Sequence, residues 1–214
     1  KSNRLIGVVT QIDAKVEDPQ PEDLFEVGTL GKIIKIIEMP DKTITAIVQG
    51  LRRFKVDQIN ITAPYLMAQV TYLADIVPDK NDHDMDAITD SIKDAALHII
   101  RLSPNLPSEA GFAIKNLEGY EFLINFIASS IEIDNIVDKV ELLRLASLKE
   151  RALKLLELLN RQIEILKIKD DIQRKVKSEI DQQQREYYLS NQLKTIQEEL
   201  GIGSDQQDFS QLRE

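Results

Sequence analysis

The longest feature in the pattern of apolar and polar positions runs over residues 148–200. This stretch contains neither Pro nor Gly and is rich in Leu, Lys, Glu, Gln and Arg, which are good helix formers. Ser147 followed by Glu150 fits a capping box at a helix start, and Gly201 suits a helix end. The sequence therefore predicts one helix of ~80 Å. A small globular domain cannot surround it, so part of it is expected to project.

The apolar side chains of this predicted helix occupy three offset faces. A long two-stranded coiled coil keeps one seam over many heptads, so three faces predict three different neighbours. We expect the first neighbour to be the chain's own body and the last to be a partner molecule. The alternative is that the far end of the helix frays in solvent. The three faces are Leu148, Ala152, Leu155, Leu159, Ile163 and Leu166; Ile165, Ile168, Ile172, Val176 and Ile180; and Leu189, Leu193, Ile196 and Leu200.

The first 80 residues show short apolar and alternating runs separated by turn signals, which predict β-strands. Gly50 interrupts one run, as at a bulge or a barrel corner. The runs predict a small twisted sheet or partial barrel. Four strands close a barrel poorly, so further strands are expected upstream. The four expected strands cover residues 5–10, 27–39, 43–56 with the interruption at Gly50, and 66–76.

A polar linker at residues 78–86 separates the strands from a region of helical periodicity. Helices are expected at residues 86–102, 109–116, 120–130 and 134–146. The predicted fold class is therefore α+β. The predicted domains are a β pseudo-barrel at 1–80, a helical subdomain at 81–147, the long helix at 148–200 and a mobile linker at 201–214.

Composition narrows the classes of protein that fit. The chain has no cysteine, which excludes disulfides and agrees with a reducing compartment. No run reaches the 18 or so apolar residues of a membrane span. The net charge is −9, and the acidic excess lies mainly between residues 81 and 147. That excess opposes nucleic-acid binding in the middle of the chain.

One glycine motif has a faint likeness to a phosphate-binding loop. Gly28 and Gly31 precede Lys32. The phosphate loop needs four residues between its glycines and a Ser or Thr after the Lys, whereas here there are two and Ile33 follows. The motif also lies inside a strand pattern, so no nucleotide site is predicted.

The two histidines offer little chemistry. His83 lies among Asp82, Asp84 and Asp86, where a divalent cation is imaginable. The spacing lacks the Gly and the terminal Glu of a calcium loop, and a solvated acidic linker is the preferred interpretation. His98 lies beside apolar residues and is interpreted as a packing residue. No nucleophile elbow or comparable local signature of catalysis occurs.

Basic residues form two clusters. Arg52, Arg53 and Lys55 could contribute to a nucleic-acid surface, and a solvated strand edge is the alternative interpretation. The second cluster lies in the long helix, where pairs such as Asp170 and Arg174 at i, i+4 explain it as helix support.

Two stretches resemble a known family. Residues 184–201, which read QREYYLSNQLKTIQEELG, closely resemble the QREYYL…Q…I…ELG signature of ATP-dependent Lon proteases. Residues 23–29, together with residues 40–41, residues 50–51 and Arg53, are similar to the β part of the N-terminal domain of that family. The resemblance implies a β pseudo-barrel, then helices, then a long helix that leads to an AAA+ module.

The resemblance also implies that the catalytic modules of the family lie outside this chain. The family's first strands with their Leu-Pro-Leu-Arg opening, its ATPase module and its Ser–Lys protease module have no counterpart here. The expectation is therefore a non-catalytic fragment with no catalytic, cofactor or metal residue, because ATP and Mg would bind in the absent module of an ATP-dependent Ser–Lys endopeptidase. Expected partners are unfolded or damaged protein substrates and the other subunits of a homohexamer, with no membrane. The expected location is the bacterial cytoplasm rather than the mitochondrial matrix.

The end of the long helix holds the candidate contact residues. We predict that its apolar and tyrosine side chains contact neighbouring subunits or substrate. The alternative functions are a regulatory nucleic-acid-binding module, with weak binding through the basic cluster of the β part, and a coiled-coil interaction module. The candidate contact residues are Tyr187, Tyr188, Leu189, Leu193, Ile196 and Leu200.

Overall fold

The computed structural model describes residues 4–61, 64–79, 82–103, 109–131 and 135–200. Its contacts divide the chain into two compact units, Lys1–Ile163 and Glu164–Glu214. The four predicted domain ranges stay predictions, and the predicted linker at 201–214 lies outside the described residues. The α+β fold class is confirmed, because a curled antiparallel sheet precedes a set of helices.

The sheet of the first unit has four antiparallel strands, and each pairs with the next one along the chain. Register shifts occur in all three strand pairs, and such shifts bend and twist a sheet. A single-turn 3-10 helix, Pro21–Asp23, precedes the second strand. The strands are β1 Leu5–Gln11, β2 Leu24–Glu38, β3 Ile44–Ile61 and β4 Met67–Tyr72.

The predicted bulge at Gly50 is confirmed, and β3 continues through it as one strand. Gly50 pairs with Gly31 and Arg52 pairs with Leu30, so Leu51 is the extra residue of a bulge on β3. Farther along the pair, the buried ring of Phe54 lies against the backbone of Gly28. The glycines thus allow strands and a large ring to approach closely, and the chain does not end a strand there.

The last strand is shorter than its alternating pattern predicts. β4 ends at Tyr72, although the alternation continues to Ile76. Beyond β4 the chain pairs with the helical part instead: the Ile76 N–H donates to the Ala146 carbonyl at 2.9 Å, and the Leu148 N–H donates to the Ile76 carbonyl at 3.0 Å. Ile76 and Ser147 form an isolated parallel bridge. The connector therefore ties the sheet to the start of the last helix.

The predicted helices are confirmed with small changes at their ends. The first begins three residues early, because the Asp82 side chain accepts hydrogen bonds from the N–H groups of Asp84 and Met85 at 3.0 and 3.1 Å. The helices are α1 His83–Leu102, α2 Glu109–Lys115, α3 Tyr120–Ser130, α4 Ile136–Arg144 and α5 Leu148–Glu199.

The core of the first unit lies mainly among the helices. α1 packs against α2 and α3, and α4 packs against β2. The first face of α5 is buried from Leu148 to Ile163, so the predicted contact between this face and the chain's own body is confirmed. The largest fully buried side chains are Met85, Ile92, Ile124, Ile127, Val140, Leu148, Leu155 and Leu159.

The last helix, α5, is uninterrupted as predicted and comprises 52 residues. At its start the Glu150 N–H donates to Ser147 Oγ at 3.3 Å, which is one half of the expected capping box. The predicted stop at Gly201 lies outside the described residues. Within the described part of the chain, no helix combines the length and apolar character needed to cross a membrane.

Candidate functional site

The second unit presents a row of exposed apolar side chains along α5. Ile168, Ile172, Val176 and Ile180 are spaced four residues apart, so they follow one side of the helix. Each is 48–59% exposed. With Gln173 and Lys177, most of these residues line a shallow apolar depression on the helix surface. We call these four residues the isoleucine row.

The candidate contact residues form a second exposed set nearer the end of α5. Their exposed fractions run from 52% for Leu189 to 71% for Tyr187. Leu193 and Ile196 are three residues apart and therefore neighbours on the helix surface. We call this set the terminal cluster, and it comprises Tyr187, Tyr188, Leu189, Leu193, Ile196 and Leu200.

Polar side chains in the same stretches of α5 form interactions within the helix itself. Arg174 Nη2 lies 2.6 Å from Asp170 Oδ2, which confirms the predicted i, i+4 pair. The Gln192 amide donates to the Tyr188 hydroxyl at 2.9 Å. Such exposed pairs contribute only about 0.3–0.5 kcal/mol each. They support the helix, while the apolar sets stay about half exposed to water.

These apolar sets can bind another molecule by burying their side chains against its apolar surface. Fully burying a Leu, Ile or Val side chain contributes about 1.5–3 kcal/mol. Several half-exposed side chains together can therefore hold an apolar segment of another chain with modest affinity, and nothing in either set serves bond-making or bond-breaking chemistry.

The histidines do not form a metal centre in the described part of the chain. His83 is exposed at the first residue of α1, and His98 is half-buried farther along the same helix. Among the described residues, no group of three or more His, Asp or Glu side chains is placed to hold a metal ion. Asp82 instead caps α1 and pairs with Lys149 Nζ at 3.3 Å.

The glycine motif of the phosphate-loop comparison lies inside the sheet. Gly28 pairs with Val9 on one side and Phe54 on the other, and Lys32 pairs with Leu5. Because the segment is a paired strand in β2, its backbone does not form a phosphate-binding loop.

The basic cluster of β3 is not a continuous positive surface. The Arg53 side chain is only 8% exposed, so its interpretation as part of a solvated strand edge is wrong. Arg52 lies over the ring of Tyr72, with 5.2 Å from Cζ to the ring centroid. Lys55 Nζ lies 3.7 Å from Glu26 Oε2. Arg53 and Lys55 therefore have carboxylate partners that compete with a phosphate, and Arg52 has an aromatic ring beside it.

Arg53 belongs to a buried ion group that sequence reasoning missed. Asp75 Oδ1 accepts a hydrogen bond from Arg53 Nη2 and another from Arg151 Nη2. Arg53 Nη1 also donates to the carbonyls of Leu143 and Leu145, the latter at 2.9 Å. Arg151 Nη2 donates to the Leu145 carbonyl at 2.7 Å. Strand β3, the connector after β4, the end of α4 and the start of α5 meet at this one group.

The electrostatics of this ion group are dominated by its two cations. Burial by itself raises the pKa of Asp75, but the hydrogen bond and charge of Arg151, and then those of Arg53, outweigh it and leave the pKa lowered. Burial, followed by repulsion from Arg151, lowers the pKa of Arg53. The sequence contained one indication of this buried ion group, because Arg151 lies between Leu148 and Leu155 on the apolar face of α5.

Comparisons with known proteins agree on one family. The profile described as the ATP-dependent protease La (LON) substrate-binding domain matches residues 1–161. The Lon protease of Flavobacterium johnsoniae is 44% identical over 209 residues, which are 98% of this chain and 26% of that protein. The Lon protease of Cytophaga hutchinsonii is 41% identical over all of this chain and 26% of its own length. The chain therefore spans about a quarter of the length of these relatives.

A solved structure shares the fold. The N-terminal domain of the Mycobacterium avium complex Lon protease superposes with a TM-score of 0.53 at 16% identity, covering 72% of this chain and 90% of that one. At this identity the likeness shows the fold alone. It confirms the expected arrangement of a β part followed by helices.

Proposed function

This chain belongs to the family of ATP-dependent protease La (LON) substrate-binding domains, and on that premise we propose that it recognises unfolded or damaged proteins and supports assembly of a homohexamer. We propose that the chain is itself non-catalytic. The proteolytic activity would then reside in the remaining three quarters of a protein like its relatives, an ATP-dependent Ser–Lys endopeptidase. We further propose that the chain binds no cofactor, with ATP and Mg held elsewhere in that protein, and that it acts in the bacterial cytoplasm.

The exposed apolar side chains of α5 are the observation that carries this proposal. Unfolded proteins expose the apolar side chains that folded proteins bury, and contact with the isoleucine row or the terminal cluster would remove both surfaces from water. Each contact is weak. Several copies of the chain held in one ring would raise the effective concentration and turn weak contacts into useful affinity.

The terminal cluster suits contact with another polypeptide. Its two tyrosines carry large amphipathic rings, which are enriched where proteins bind one another. Leu193 and Ile196 add aliphatic area beside them, at 57% and 54% exposure. We assign substrate or subunit contact to this cluster.

Negative charge on the first unit supports a preference among substrates. α1 carries exposed carboxylates at Asp84, Asp86, Asp90 and Asp94. A surface with this sign attracts basic segments at low ionic strength and repels acidic ones. We therefore propose that unfolded segments with basic residues bind better than acidic ones.

The test replaces Leu193 and Ile196 together by Ser. The matched control replaces Lys194 and Gln197 by Ser, since both are exposed in the same turns and cost the helix a similar propensity. Binding is measured by fluorescence anisotropy with a labelled, permanently unfolded probe, a reduced protein whose thiols carry neutral carboxamidomethyl groups. Self-association is measured by sedimentation velocity. The apolar double variant should weaken one or both by about tenfold or more, because two half-exposed contacts are lost.

The control variant should bind and sediment as the unchanged chain does, and far-UV circular dichroism should report equal helix content in all three. In a full-length Lon protease that carries this chain, the apolar double variant should slow substrate degradation or impair assembly. Unchanged probe binding, unchanged assembly and intact degradation would refute the assignment of the terminal cluster.

The nucleic-acid alternative receives little support from the sheet. Its basic cluster contributes Arg52 and Lys55 at the surface, while Arg53 is held by Asp75. A gel shift at low salt that vanishes at higher salt would support weak binding, and no shift at low salt would remove the alternative.

A further inference from the structure

The connector between the sheet and α1 is held to the rest of the first unit by few interactions. Backbone hydrogen bonds join the Leu73 N–H to the Arg53 carbonyl at 3.0 Å and Ile76 to residues 146 and 148. The apolar side chains that follow contribute little burial, because Ile76 is 66% exposed and Val77 is 55% exposed. Hydrophobic packing therefore does little to keep this connector in place.

The ion group provides the buried polar interactions that hold this connector. The side chains of Arg53 and Arg151 are 8% and 3% exposed, and that of Asp75 is 21% exposed. Two guanidinium groups donate to one carboxylate oxygen, so the group of two cations and one anion has a net positive charge. Asn125 Oδ1 also accepts from Arg151 Nη1 at 3.3 Å, which adds a neutral partner. Without the carboxylate, two poorly solvated cations would face each other across the junction.

We propose that the Arg53–Asp75–Arg151 group is a charge-controlled joint, which fixes the first turn of α5 to the sheet and opens when the Asp75 carboxylate is withdrawn. In the closed state the carboxylate bridges β3 and α5 and holds the connector between them. In the open state the two guanidinium groups move apart into water, and the backbone bonds at Leu73 and Ile76 are released with them.

The closed joint is not saturated with hydrogen bonds. Among the described residues, neither Arg53 Nε nor Arg151 Nε has an acceptor. A buried donor without an acceptor raises the free energy of the closed state. The free-energy difference between the closed and open states is therefore smaller than it would be with every donor paired. A small difference is required for a joint that opens locally while the rest of the unit stays folded.

Hydrogen exchange of single amides tests the joint. Asp75→Asn keeps the shape of the side chain and removes its charge. The amides of Leu73, Ile76 and Leu148 should then exchange on the order of 10- to 100-fold faster, because removing one partner of a buried ion group leaves the other charge uncompensated. The buried helical residue Ile99 reports on the rest of the unit, and its amide should be unaffected.

Two further variants separate charge from structure. Asp79→Asn removes an exposed carboxylate from the same connector and should change none of these rates. Arg53→Met combined with Asp75→Asn removes the repulsion between the two guanidinium groups as well as the carboxylate bridge. The Leu148 amide of this double variant should therefore exchange more slowly than that of Asp75→Asn alone.

Three results would overturn the proposal. The first is an Asp75→Asn variant whose joint amides keep their protection, because packing would then hold the connector. The second is an equal acceleration of every amide including Ile99, which would show a general loss of stability. If Asp75→Asn fails to fold, the charge-relieved double variant must fold, and its failure would also overturn the joint.

Discussion

Gly28 is a position where an added side chain would meet the backbone of a neighbouring strand, and its replacement by Ala tests the fold directly. A Cβ atom placed there would lie 2.4 Å from the Val8 carbonyl oxygen, 2.8 Å from Phe54 Cζ and 2.9 Å from Val9 Cγ2. Ordinary contacts begin near 3.4 Å. The Phe54 ring and the Val9 methyl can rotate away, but a backbone oxygen moves only with its strand. The substitution must therefore displace β1 relative to β2.

The expected cost follows from that displacement. Overpacking in a well-packed region costs about 1–3 kcal/mol and sometimes more, and a clash with backbone falls at the upper end, so we expect Gly28→Ala to lower the free energy of unfolding by roughly 3 kcal/mol. Gly50→Ala is the matched control, since its new Cβ would meet only Thr29 Cγ2 at 3.4 Å. The control should be neutral or more stable by about 0.4–1 kcal/mol, because Ala restricts the unfolded chain.

Urea denaturation followed by far-UV circular dichroism measures both variants. The midpoint should fall for Gly28→Ala and hold or rise for Gly50→Ala, with similar slopes if the unfolded states are alike. Adding Phe54→Leu to Gly28→Ala should recover only part of the loss, because the Val8 carbonyl clash remains. Equal midpoints for the two single variants would refute the close approach of β1 and β2 at Gly28.

Two further predictions concern the ion group and the core. The pKa of Asp75 is lowered in the folded state, so its carboxylate stabilises fully above the unfolded value of about 4 and loses this effect as the pH falls through the folded pKa. The stability difference between the unchanged chain and Asp75→Asn should therefore be full at pH 7 and shrink below pH about 4, and a difference in urea midpoint that stays constant down to pH 3 would contradict this. Leu155→Ala should cost about 3–5 kcal/mol because Leu155 is fully buried, whereas Leu153→Ala, at a half-exposed site two residues earlier, should cost under about 1 kcal/mol. Equal losses in thermal or urea unfolding would show that the buried face of α5 is assigned wrongly.

Sequence reasoning succeeded where structure is local. α3 begins and ends where its periodicity predicts, and α5 is one uninterrupted helix. The family resemblance drawn from residues 184–201 and from the β part is confirmed, although the family profile itself matches residues 1–161. The relatives cover the remainder, because the alignment with the Flavobacterium johnsoniae protein includes 98% of the chain.

Sequence reasoning failed where the outcome depended on a distant neighbour. The alternation up to Ile76 reads as one strand, yet the connector leaves the sheet after Tyr72. Arg53 reads as a surface cation within a basic cluster, yet it is buried against Asp75. In each case the same local sequence pattern could give the predicted structure if the chain packed against different residues.

The sequence by itself determined the helices and the exposed apolar side chains of α5, because a helix closes its hydrogen bonds between residues four apart and its apolar faces follow from spacing alone. Only the tertiary structure decided where the sheet stops and which charges are buried. Asp75 meets Arg53 across 22 positions and Arg151 across 76, and no pattern along the chain records a partner at such a separation. The physical reason is that the energy of a charge depends on its surroundings after folding, which are supplied by residues far away in the sequence.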